Sequence, residues 1–487
     1  MNDMKTVRTR FAPSPTGYLH VGGLRTALYA YLIAKGATPP GKFLLRIEDT
    51  DQERYVEGAV EIIYTTLRET GLFWDEGPDV GGPVGPYIQS ERMGMYKEYA
   101  EQLIGSGHAY RCFCTKERLD ALREEQMAAG KDPMYDGCCL HLGKVEVEEK
   151  LAAGTPYVIR QKMPTQGTTT FHDQVFGDIT VENATLADQI LIKTDGMPTY
   201  NFANVIDDHL MGITHVVRGS EYLSSSPKYN LLYEAFGWEV PVYVHCSPVM
   251  KNSREKLSKR NGDASYQDLI DKGYLSPAIL NYIALLGWSP GGEEEIFSLE
   301  ELIKAFSIDR IAKSPAIFDP VKLDHINAEW IRRMTPDEFL AAALPWMKQG
   351  VSRGDIDFAF LAELVHPRCQ VLGEIPAQLG WIDALPDYDN ELFVSKKMKT
   401  NPETALAALR EIIPVLEALP DWTVESIHNA LFGLIERLEV KNGWLLWPLR
   451  IALTGTMVTP GGGVEAAFLL GREDALARLN SGIEKLT

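Results

Sequence analysis

An abrupt change from an extended pattern to a helical pattern near the N-terminus constrains the fold of this chain more than any other feature. Residues 6–12 have an extended pattern, residues 13–23 contain two prolines and three glycines, and residues 24–35 have apolar side chains at helical spacing up to Gly36. Strand, glycine turn and helix in this order form the first half of a unit that builds parallel sheets.

The same order of strand and helix recurs further along the chain. Residues 43–47 form an apolar run that predicts a buried strand, and residues 53–69 predict a helix with Asp49 or Asp51 as its N-cap. Further strands are predicted at residues 186–192, 215–218 and 243–245, and a further helix at residues 227–236. This alternation predicts an α/β fold with a parallel sheet.

Length and composition indicate several domains. The 487 residues exceed a single domain, because domains run to about 100–200 residues. A loop rich in glycine and proline at residues 77–86 leads into a mixed region that we interpret as an insertion, and helical patterns dominate from Ser265 onward. The N-terminus lacks the apolar core of a signal peptide, and no apolar run approaches the ~18–20 residues of a membrane helix, so we expect a cytoplasmic protein without membrane association.

The turn at residues 13–23 is a candidate anion site. It leads into a helix whose first amides have no intrahelical partner and carry partial positive charge. Its glycines permit ATP to approach the backbone closely, and His20 at the helix entrance can donate a hydrogen bond to a phosphate. The alternative is an ordinary helix start with a packed histidine.

A basic loop far along the chain is the second candidate. Residues 256–260 read Lys-Leu-Ser-Lys-Arg and are followed by an Asn-Gly-Asp turn. Such a loop can close on a triphosphate and leave with pyrophosphate. The net charge of −19 argues against nucleic-acid binding over the whole surface, but a local basic stretch can still bind phosphate. The alternative is solvated surface charge.

Together the two elements resemble the HIGH and KMSKS signatures of class I aminoacyl-tRNA synthetases, with residues 20–23 and 256–260 in those places. The residues at positions 23, 257 and 260 depart from the class pattern. Gly23 replaces the final histidine, Leu257 replaces the methionine and Arg260 replaces the last serine. The glutamyl enzymes of the class commonly tolerate such changes.

Further stretches resemble the bacterial-type glutamyl-tRNA synthetase family specifically. They lie at residues 10–17, 45–51, 198–209, 217–221, 318–320 and 448–455. The resemblance therefore covers nearly the whole chain. It implies an α/β Rossmann-like catalytic domain with a mixed α/β insertion, followed by α-helical connecting and anticodon-binding domains.

The resemblance also implies the order of the domains. An acceptor-binding insertion splits the catalytic domain, a connecting domain carries the KMSKS-like loop, and two helical anticodon-binding domains follow. In chain order these segments are residues 1–94, 95–195, 196–247, 248–335, 336–395 and 396–487. The helical C-terminus favours the glutamyl type over a glutaminyl enzyme, whose anticodon region would be rich in β-strands.

A pocket for L-glutamate is implied by the same resemblance. Arg10 and Arg218 are the predicted carboxylate partners, with Arg218 on the side-chain carboxylate, and Glu48 balances the ammonium. The other predicted pocket residues are Ala12, Ser14, Tyr200 and Asn204. For each residue, the alternative is an ordinary ion pair or packing role. Because an amide would leave the Arg218 charge unpaired, the pocket should reject glutamine.

The resemblance further implies an ATP site, with Mg²⁺ accompanying the nucleotide. His20, Lys256 and Lys259 are the predicted catalytic residues, acting on phosphate by positioning and charge stabilisation. The remaining ATP contacts are predicted at Gly22, Gly23, Tyr222, Ser258 and Arg260. The alternative for Tyr222 is a core aromatic instead of a stacking partner for adenine.

The activity that the resemblance implies is glutamate–tRNA ligation in two steps. Glutamate is first activated to glutamyl adenylate and then transferred to the 3′ end of tRNA(Glu), and tRNA is needed before activation occurs. The family is typically monomeric. Charging of tRNA(Gln) as well is an open alternative, as are a small-molecule nucleotidyltransferase and an RNA-binding paralogue.

Four of the six cysteines cluster in the insertion. Cys112, Cys114, Cys139 and His141 offer three thiolates and one imidazole for a tetrahedral site. They resemble the zinc-binding insertion of some glutamyl enzymes, which implies a structural Zn²⁺ near the tRNA acceptor end. Cys138 is a competing thiol, and free buried cysteines are the alternative.

Overall fold

The structure is a computed structural model that describes residues 6–50, 55–257 and 265–487. The chain divides into two compact units. One unit comprises Met1–Leu269 and Ile279–Pro320, and the other comprises Ile270–Ala278 and Val321–Thr487. This division is coarser than the six predicted segments, whose boundaries stay predictions.

The first unit contains all the described strands. They are β1 (Arg8–Phe11), β2 (Lys42–Leu45), β3 (Ala109–Cys112), β4 (Val158–Gln161), β5 (Thr168–Asp173), β6 (Gly177–Glu182), β7 (Ile190–Ile192), β8 (His215–Gly219), β9 (Val242–Cys246), β10 (Val249–Met250) and β11 (Ala316–Ile317). The helices up to residue 305 are α1 (Val21–Lys35), α2 (Ala59–Glu69), α3 (Met93–Gly105), α4 (Lys116–Ala128), α5 (Lys144–Ala152), α6 (Tyr200–Leu210), α7 (Ser226–Phe236), α8 (Tyr266–Asp271), α9 (Ser276–Leu285) and α10 (Leu299–Ala305).

Parallel pairing joins the strands around which this unit is built. Strand β1 pairs with β2, and β9 pairs with both β8 and β5, in each case in parallel. A hydrogen bond of 2.9 Å from Thr214 N to Arg8 O lies between β1 and the start of β8. The predicted parallel α/β sheet is therefore confirmed. Among the described strands of this sheet, only the β5–β6 hairpin at its edge is antiparallel.

The insertion forms a separate antiparallel sheet in the order β3, β4, β7. Its buried face packs on α3, α6 and α7 through Tyr96, Leu103, Ile159, Leu191 and Phe202. The predicted strand at residues 186–192 is shorter than expected, since residues 186–189 have no regular structure and β7 begins only at Ile190.

Helix α2 begins later than the sequence predicts. Residues 55–58 are not helical, and Gly58 precedes the helix with a φ of +78°, which glycine adopts without strain. Asp49 does not cap this helix, because its carboxylate accepts hydrogen bonds from Ser90 N and Ser90 Oγ at 2.8 and 2.6 Å. Asp51, the alternative predicted cap, lies outside the described residues.

The second unit is helical, as predicted for the C-terminal third of the chain. Its helices begin with α11 (Pro320–Arg332), which starts at the unit boundary, and continue as α12 (Pro336–Gly350), α13 (Phe358–Val365), α14 (Ile375–Leu379), α15 (Pro402–Glu417), α16 (Val424–Leu438), α17 (Asn442–Thr454) and α18 (Gly463–Leu486). They enclose one apolar core that includes Phe339, Leu409, Leu431, Leu449 and Leu479. In the described part of the chain, no helix has the length and apolarity needed to cross a membrane.

Candidate active site

A cavity of about 430 Å³ opens where β1 and β8 end and α1 begins. In open α/β sheets, ligands bind at the carboxyl ends of the strands. The cavity is lined by Arg10, Phe11, Ala12, Ser14, Gly23, Thr26, Glu48, Thr50, Tyr200, Val217, Arg218, Gly219, Glu221 and Tyr222. The fold thus gathers six of the seven predicted glutamate-pocket residues around one space.

Arg218, in β8, is a buried cation that lines this cavity, and its hydrogen-bond partners among the described residues are neutral. Its side chain is 5% exposed; Nε donates to His245 Nε2 at 3.1 Å and Nη2 donates to Ser226 Oγ at 3.0 Å. The guanidinium carbon lies 4.6 Å from the centre of the Tyr229 ring and 5.4 Å from that of Tyr222. Within the described residues, no carboxylate forms an ion pair with Arg218. A buried guanidinium without a paired carboxylate favours binding of an anionic ligand.

Arg10 is also buried, but it already carries an ion pair. Its Nε and Nη2 donate to the two carboxylate oxygens of Asp208 at 2.9 and 3.1 Å. Asp208 in turn accepts from Arg46 Nη1 at 2.8 Å, and Arg46 Nη2 donates to Glu48 Oε1 at 2.9 Å. Two cations and two carboxylates therefore alternate beneath the cavity.

The alternating charges set the ionisation of the two carboxyl groups. Burial would raise the pKa of Asp208, but Arg10 and Arg46 hold it below the ordinary value. Burial raises the pKa of Glu48 above its ordinary value, although Arg46 opposes this shift. Glu48 is therefore a cavity carboxylate whose charged form gains from a further cation, such as an ammonium group.

Two predicted pocket residues in α6, Tyr200 and Asn204, differ in whether they reach the cavity. Tyr200, the first residue of α6, lines the cavity, and its ring centre lies 5.3 Å from that of Tyr222. Burial raises the pKa of Tyr200 well above the ordinary value, so its hydroxyl is neutral. Asn204 is not among the lining residues, because its Nδ2 donates to Tyr200 O at 2.7 Å inside the helix. The structure does not bring this predicted residue to the cavity.

His20 caps the helix that points at the cavity. It has extended backbone angles, and its Nδ1 accepts from Gly22 N at 3.0 Å. This hydrogen bond places the proton of the neutral ring on Nε2, which makes Nε2 a donor. Gly23 lines the cavity, and a side chain there would press on Leu19, 3.2 Å from the ideal Cβ position. The first turn of α1 contains no acidic residue, so it suits an anion.

The basic loop is only partly described. After β10, Asn252 Oδ1 accepts from Arg254 N and Glu255 N, both at 2.9 Å, and this tight turn brings Lys256 into an antiparallel bridge with Met250. Lys256 is exposed and Leu257 is buried. The predicted residues Ser258, Lys259 and Arg260 lie outside the described residues.

Three of the predicted metal ligands converge in the insertion. The sulfur atoms of Cys112, Cys114 and Cys139 lie within 4.8 Å of one another, and those of Cys114 and Cys139 are 3.6 Å apart. A tetrahedral zinc ion with Zn–S distances of about 2.3 Å holds its sulfurs roughly 3.8 Å apart, so this donor set fits zinc. His141 is exposed and does not join the cluster.

The hydroxyl of Tyr135 lies beside the three thiols, where a fourth metal ligand is expected. Tyr135 Oη lies 3.3 Å from Cys112 Sγ and 3.5 Å from Cys114 Sγ, and it accepts from Cys139 N at 3.0 Å. The Arg160 guanidinium lies 4.1 Å from the centre of the Tyr135 ring and balances negative charge in this cluster. Cys138, the competing thiol, is exposed.

Comparison with known protein families places the chain. The family model described as "tRNA synthetases class I (E and Q), catalytic domain" matches residues 6–325, and the model described as "Anticodon binding domain" matches residues 327–483. The chain belongs to the class I tRNA synthetases for glutamate and glutamine. The predicted fold class, a Rossmann-like catalytic domain followed by helical anticodon-binding domains, is thereby confirmed.

Relatives of the chain within this synthetase family are similar over their whole length. A protein of Clostridium tetani named glutamate–tRNA ligase is 62% identical over 486 residues, which cover 100% of this chain and 99% of the relative. One of Clostridium botulinum with the same name is 61% identical over 480 residues, 99% and 98% of the two chains. A crystal structure of the glutamate–tRNA ligase of Elizabethkingia meningosepticum in complex with its amino acid superposes with a TM-score of 0.89 at 37% identity, covering 99% of this chain and 100% of that one.

Sequence reasoning missed several residues of this candidate site. Arg46 and Asp208 lie in stretches that resemble the glutamyl family, but their part in the buried charge network depends on a contact between distant segments. His245 ends a predicted strand and gave no signal of its contact with Arg218. The one usable indication was Arg46 itself, a charged residue within the apolar run at residues 43–47.

Proposed function

We propose that this chain is a glutamate–tRNA ligase whose amino-acid pocket is the cavity lined by Arg218 and Glu48. The relatives named glutamate–tRNA ligase, about 60% identical along the whole chain, support the activity. The observation that carries the pocket is the buried guanidinium of Arg218, which faces the cavity and whose hydrogen-bond partners among the described residues are neutral. A ligand carboxylate supplies the missing negative charge, and a ligand amide does not.

The substrate groups divide between the two charged ends of the cavity. Arg218 takes the side-chain carboxylate of glutamate by parallel hydrogen bonds. Glu48 takes the ammonium group, since Arg46 engages its Oε1 at 2.9 Å and leaves carboxylate capacity for a second cation. Ala12, Ser14 and Tyr200 line the space between and supply shape and neutral hydrogen bonds. The α-carboxylate stays unneutralised and can attack.

The role of Arg10 follows from its ion pair. Asp208 neutralises its charge by a bidentate contact, so Arg10 is a weaker partner for a ligand carboxylate than Arg218. We propose that Arg10, whose charge Asp208 neutralises, lines the cavity and orients the α-carboxylate of glutamate through a weak interaction.

The reaction then proceeds in two displacements. An oxygen of the glutamate α-carboxylate attacks the α-phosphorus of ATP, the bond from that phosphorus to the bridging oxygen breaks, and pyrophosphate leaves. A hydroxyl of the terminal ribose of tRNA next attacks the carbonyl carbon of glutamyl adenylate, loses its proton, and AMP leaves. No protein nucleophile takes part, so the chain contributes positioning and charge stabilisation.

The phosphates are bound at the start of α1. His20 donates from Nε2, and the backbone amides of Gly22 and Gly23 supply the partial positive charge of the helix end. Lys256 and Lys259 of the basic loop add positive charge, Ser258 and Arg260 are further predicted ATP contacts, and Tyr222 stacks on adenine. Mg²⁺ bound to ATP would shield the phosphate oxygens.

The insertion has a structural role. Cys112, Cys114, Cys139 and Tyr135 would hold Zn²⁺, and the ion would fix the strand β3 to the segment that contains Cys139. Tyr135 replaces the predicted His141 in this proposal. The ion takes no part in either displacement.

The remaining features follow the family. We expect activation to require bound tRNA, the enzyme to charge tRNA(Glu) alone, and the protein to be a cytoplasmic monomer. Charging of purified tRNA(Glu) and tRNA(Gln) with labelled glutamate or labelled glutamine tests the activity. We predict glutamate on tRNA(Glu) only. Absence of charging on both tRNAs would contradict the proposed function, and glutamate on both would contradict the expected discrimination.

A further inference from the structure

A buried aspartate–histidine pair stands behind Arg218 and has no part in the mechanism described above. Asp173 Oδ2 and His245 Nδ1 are 2.6 Å apart, and both side chains are 0% exposed. The other ring nitrogen, His245 Nε2, accepts from Arg218 Nε at 3.1 Å. Three buried residues from β5, β9 and β8 therefore form one hydrogen-bonded chain that ends at the cavity.

The hydrogen bonds assign the proton of His245. Besides the imidazole, Asp173 accepts from the backbone amides of His245, Val175 and Phe176 at 3.1, 2.9 and 2.8 Å, which makes it an acceptor with no room for its own proton. Burial would raise the pKa of Asp173, but the bond from His245 and these amides hold it below the ordinary value. Burial and the charge of Arg218 lower the pKa of His245, although Asp173 opposes them. The ring is thus neutral, with its proton on Nδ1 and a lone pair on Nε2.

A neutral acceptor has a particular consequence for a cation. It fixes the plane of the guanidinium by hydrogen bonding, as a carboxylate would, but it does not cancel the charge. The two arginines of the cavity illustrate the difference. Arg10 contacts Asp208 directly, whereas a whole imidazole ring separates Arg218 from the carboxylate of Asp173.

We propose that His245 is a positioning residue that orients Arg218 while preserving its charge, and that this spacing makes the pocket select a carboxylate over an amide. The inference rests on the proposed function, since it assumes that Arg218 receives the side chain of glutamate. It adds a specificity role for His245 and Asp173, neither of which contacts the ligand.

A pair of substitutions that differ only in charge tests this role. His245→Gln places a neutral amide oxygen near the position of Nε2, and His245→Glu places a carboxylate there with the same shape. We expect His245→Gln to keep the KM for glutamate within about threefold of wild type. His245→Glu pairs with Arg218 and should raise that KM by about tenfold or more, with the KM for ATP unchanged. The ratio of kcat/KM for glutamate to that for glutamine should fall in parallel.

The controls distinguish failure of the role of His245 from failure of the proposed function. Thermal unfolding checks that each variant folds. If His245→Glu does not fold, His245→Ala replaces it in the comparison. Loss of the hydrogen-bond acceptor in His245→Ala should also raise the KM for glutamate, whereas His245→Gln should not raise it. The role of His245 would be overturned if His245→Gln and the folded comparison variant, His245→Glu or His245→Ala, had the same KM for glutamate and the same ratio of kcat/KM for glutamate to that for glutamine. If wild-type enzyme charges glutamate in the same assay, that result leaves the proposed function intact. If wild-type enzyme charges no tRNA with glutamate, both proposals fail.

Discussion

The carboxylate of Asp208 receives two hydrogen bonds from the guanidinium of Arg10, at 2.9 and 3.1 Å, in a place where both side chains are almost fully buried. This contact joins a residue of β1 to a residue of α6 and closes the floor of the cavity. Because a buried charge is strongly destabilised without its partner, the contact ties the integrity of the pocket to the stability of the first unit.

Replacing Asp208 should therefore affect stability. Asp208→Asn leaves Arg10 and Arg46 without their shared negative charge, and we expect the free energy of unfolding to fall by about 3–5 kcal/mol. Urea denaturation of the variant measures this loss. Asp178→Asn is the matched control, because it removes an exposed side-chain contact with His172 and should change stability by less than about 1 kcal/mol. Equal effects of the two substitutions would contradict the buried network.

The neutral state of His245 predicts a pH dependence. Burial lowers the pKa of His245 in the folded protein, so between about pH 6.5 and the folded value the unfolded chain binds a proton that the folded chain does not. Stability should therefore fall as the pH decreases from about 7 toward about 5. In His245→Gln this contribution is absent, and the loss of stability over the same range should be smaller. His215, whose pKa burial also lowers, is present in both proteins and cancels.

Chemical denaturation at several pH values measures the difference between wild type and His245→Gln. An equal loss in both proteins would show that His245 is not held neutral.

The metal site predicts a specific order of zinc contents. Cys139→Ser removes a converging thiol and should abolish bound zinc, and Tyr135→Phe removes the nearby phenol and should weaken binding. His141→Ala should retain one zinc ion per chain, because His141 is exposed and outside the cluster. Elemental analysis after chelator-free purification gives the contents. Loss of zinc in His141→Ala with retention in Tyr135→Phe would restore the ligand set that the sequence suggested.

The two functions of His20 can be separated by its replacements. His20→Asn keeps an N-cap oxygen for α1 but removes the imidazole donor, whereas His20→Ala removes both. We expect both variants to lose about 10²–10³-fold in the rate of glutamate activation, because neither the shorter Asn amide nor Ala has a donor at the position of His20 Nε2. Only His20→Ala should also lose about 1 kcal/mol of stability.

Pyrophosphate exchange and tRNA binding measured on the two His20 variants decide the role. Weakened tRNA binding with a normal activation rate would place His20 at the tRNA and not at the phosphates.

The parts of the site that the sequence predicted are those in which one local segment carries the signal. The strand, glycine turn and helix up to Gly36 were predicted within a few residues, because glycine, proline and apolar spacing determine them locally. Arg218 and Glu48 were placed through resemblance to known motifs, and the structure brings both to one cavity.

The parts that the sequence did not predict depend on contacts between distant segments. Nothing near His245 indicates that Asp173 will lie 2.6 Å from its Nδ1, because that contact arises only when β5 pairs beside β9. The same applies to Asp49, one of the two residues predicted as the cap of α2, which accepts hydrogen bonds from Ser90 instead. The spacing of Cys139 and His141 likewise suggested a ligand pair, and only the folded loop places Tyr135 at the thiols.

The role of Arg218 is the central claim, and the kinetics of Arg218→Gln test it most directly. Aminoacylation of tRNA(Glu) is measured with glutamate and with glutamine for wild type and variant, at saturating ATP. We predict that kcat/KM for glutamate falls by about 100-fold or more, that the KM for ATP is unchanged, and that the preference for glutamate over glutamine largely disappears. Near-normal glutamate kinetics with an intact preference would show that another residue holds the side-chain carboxylate.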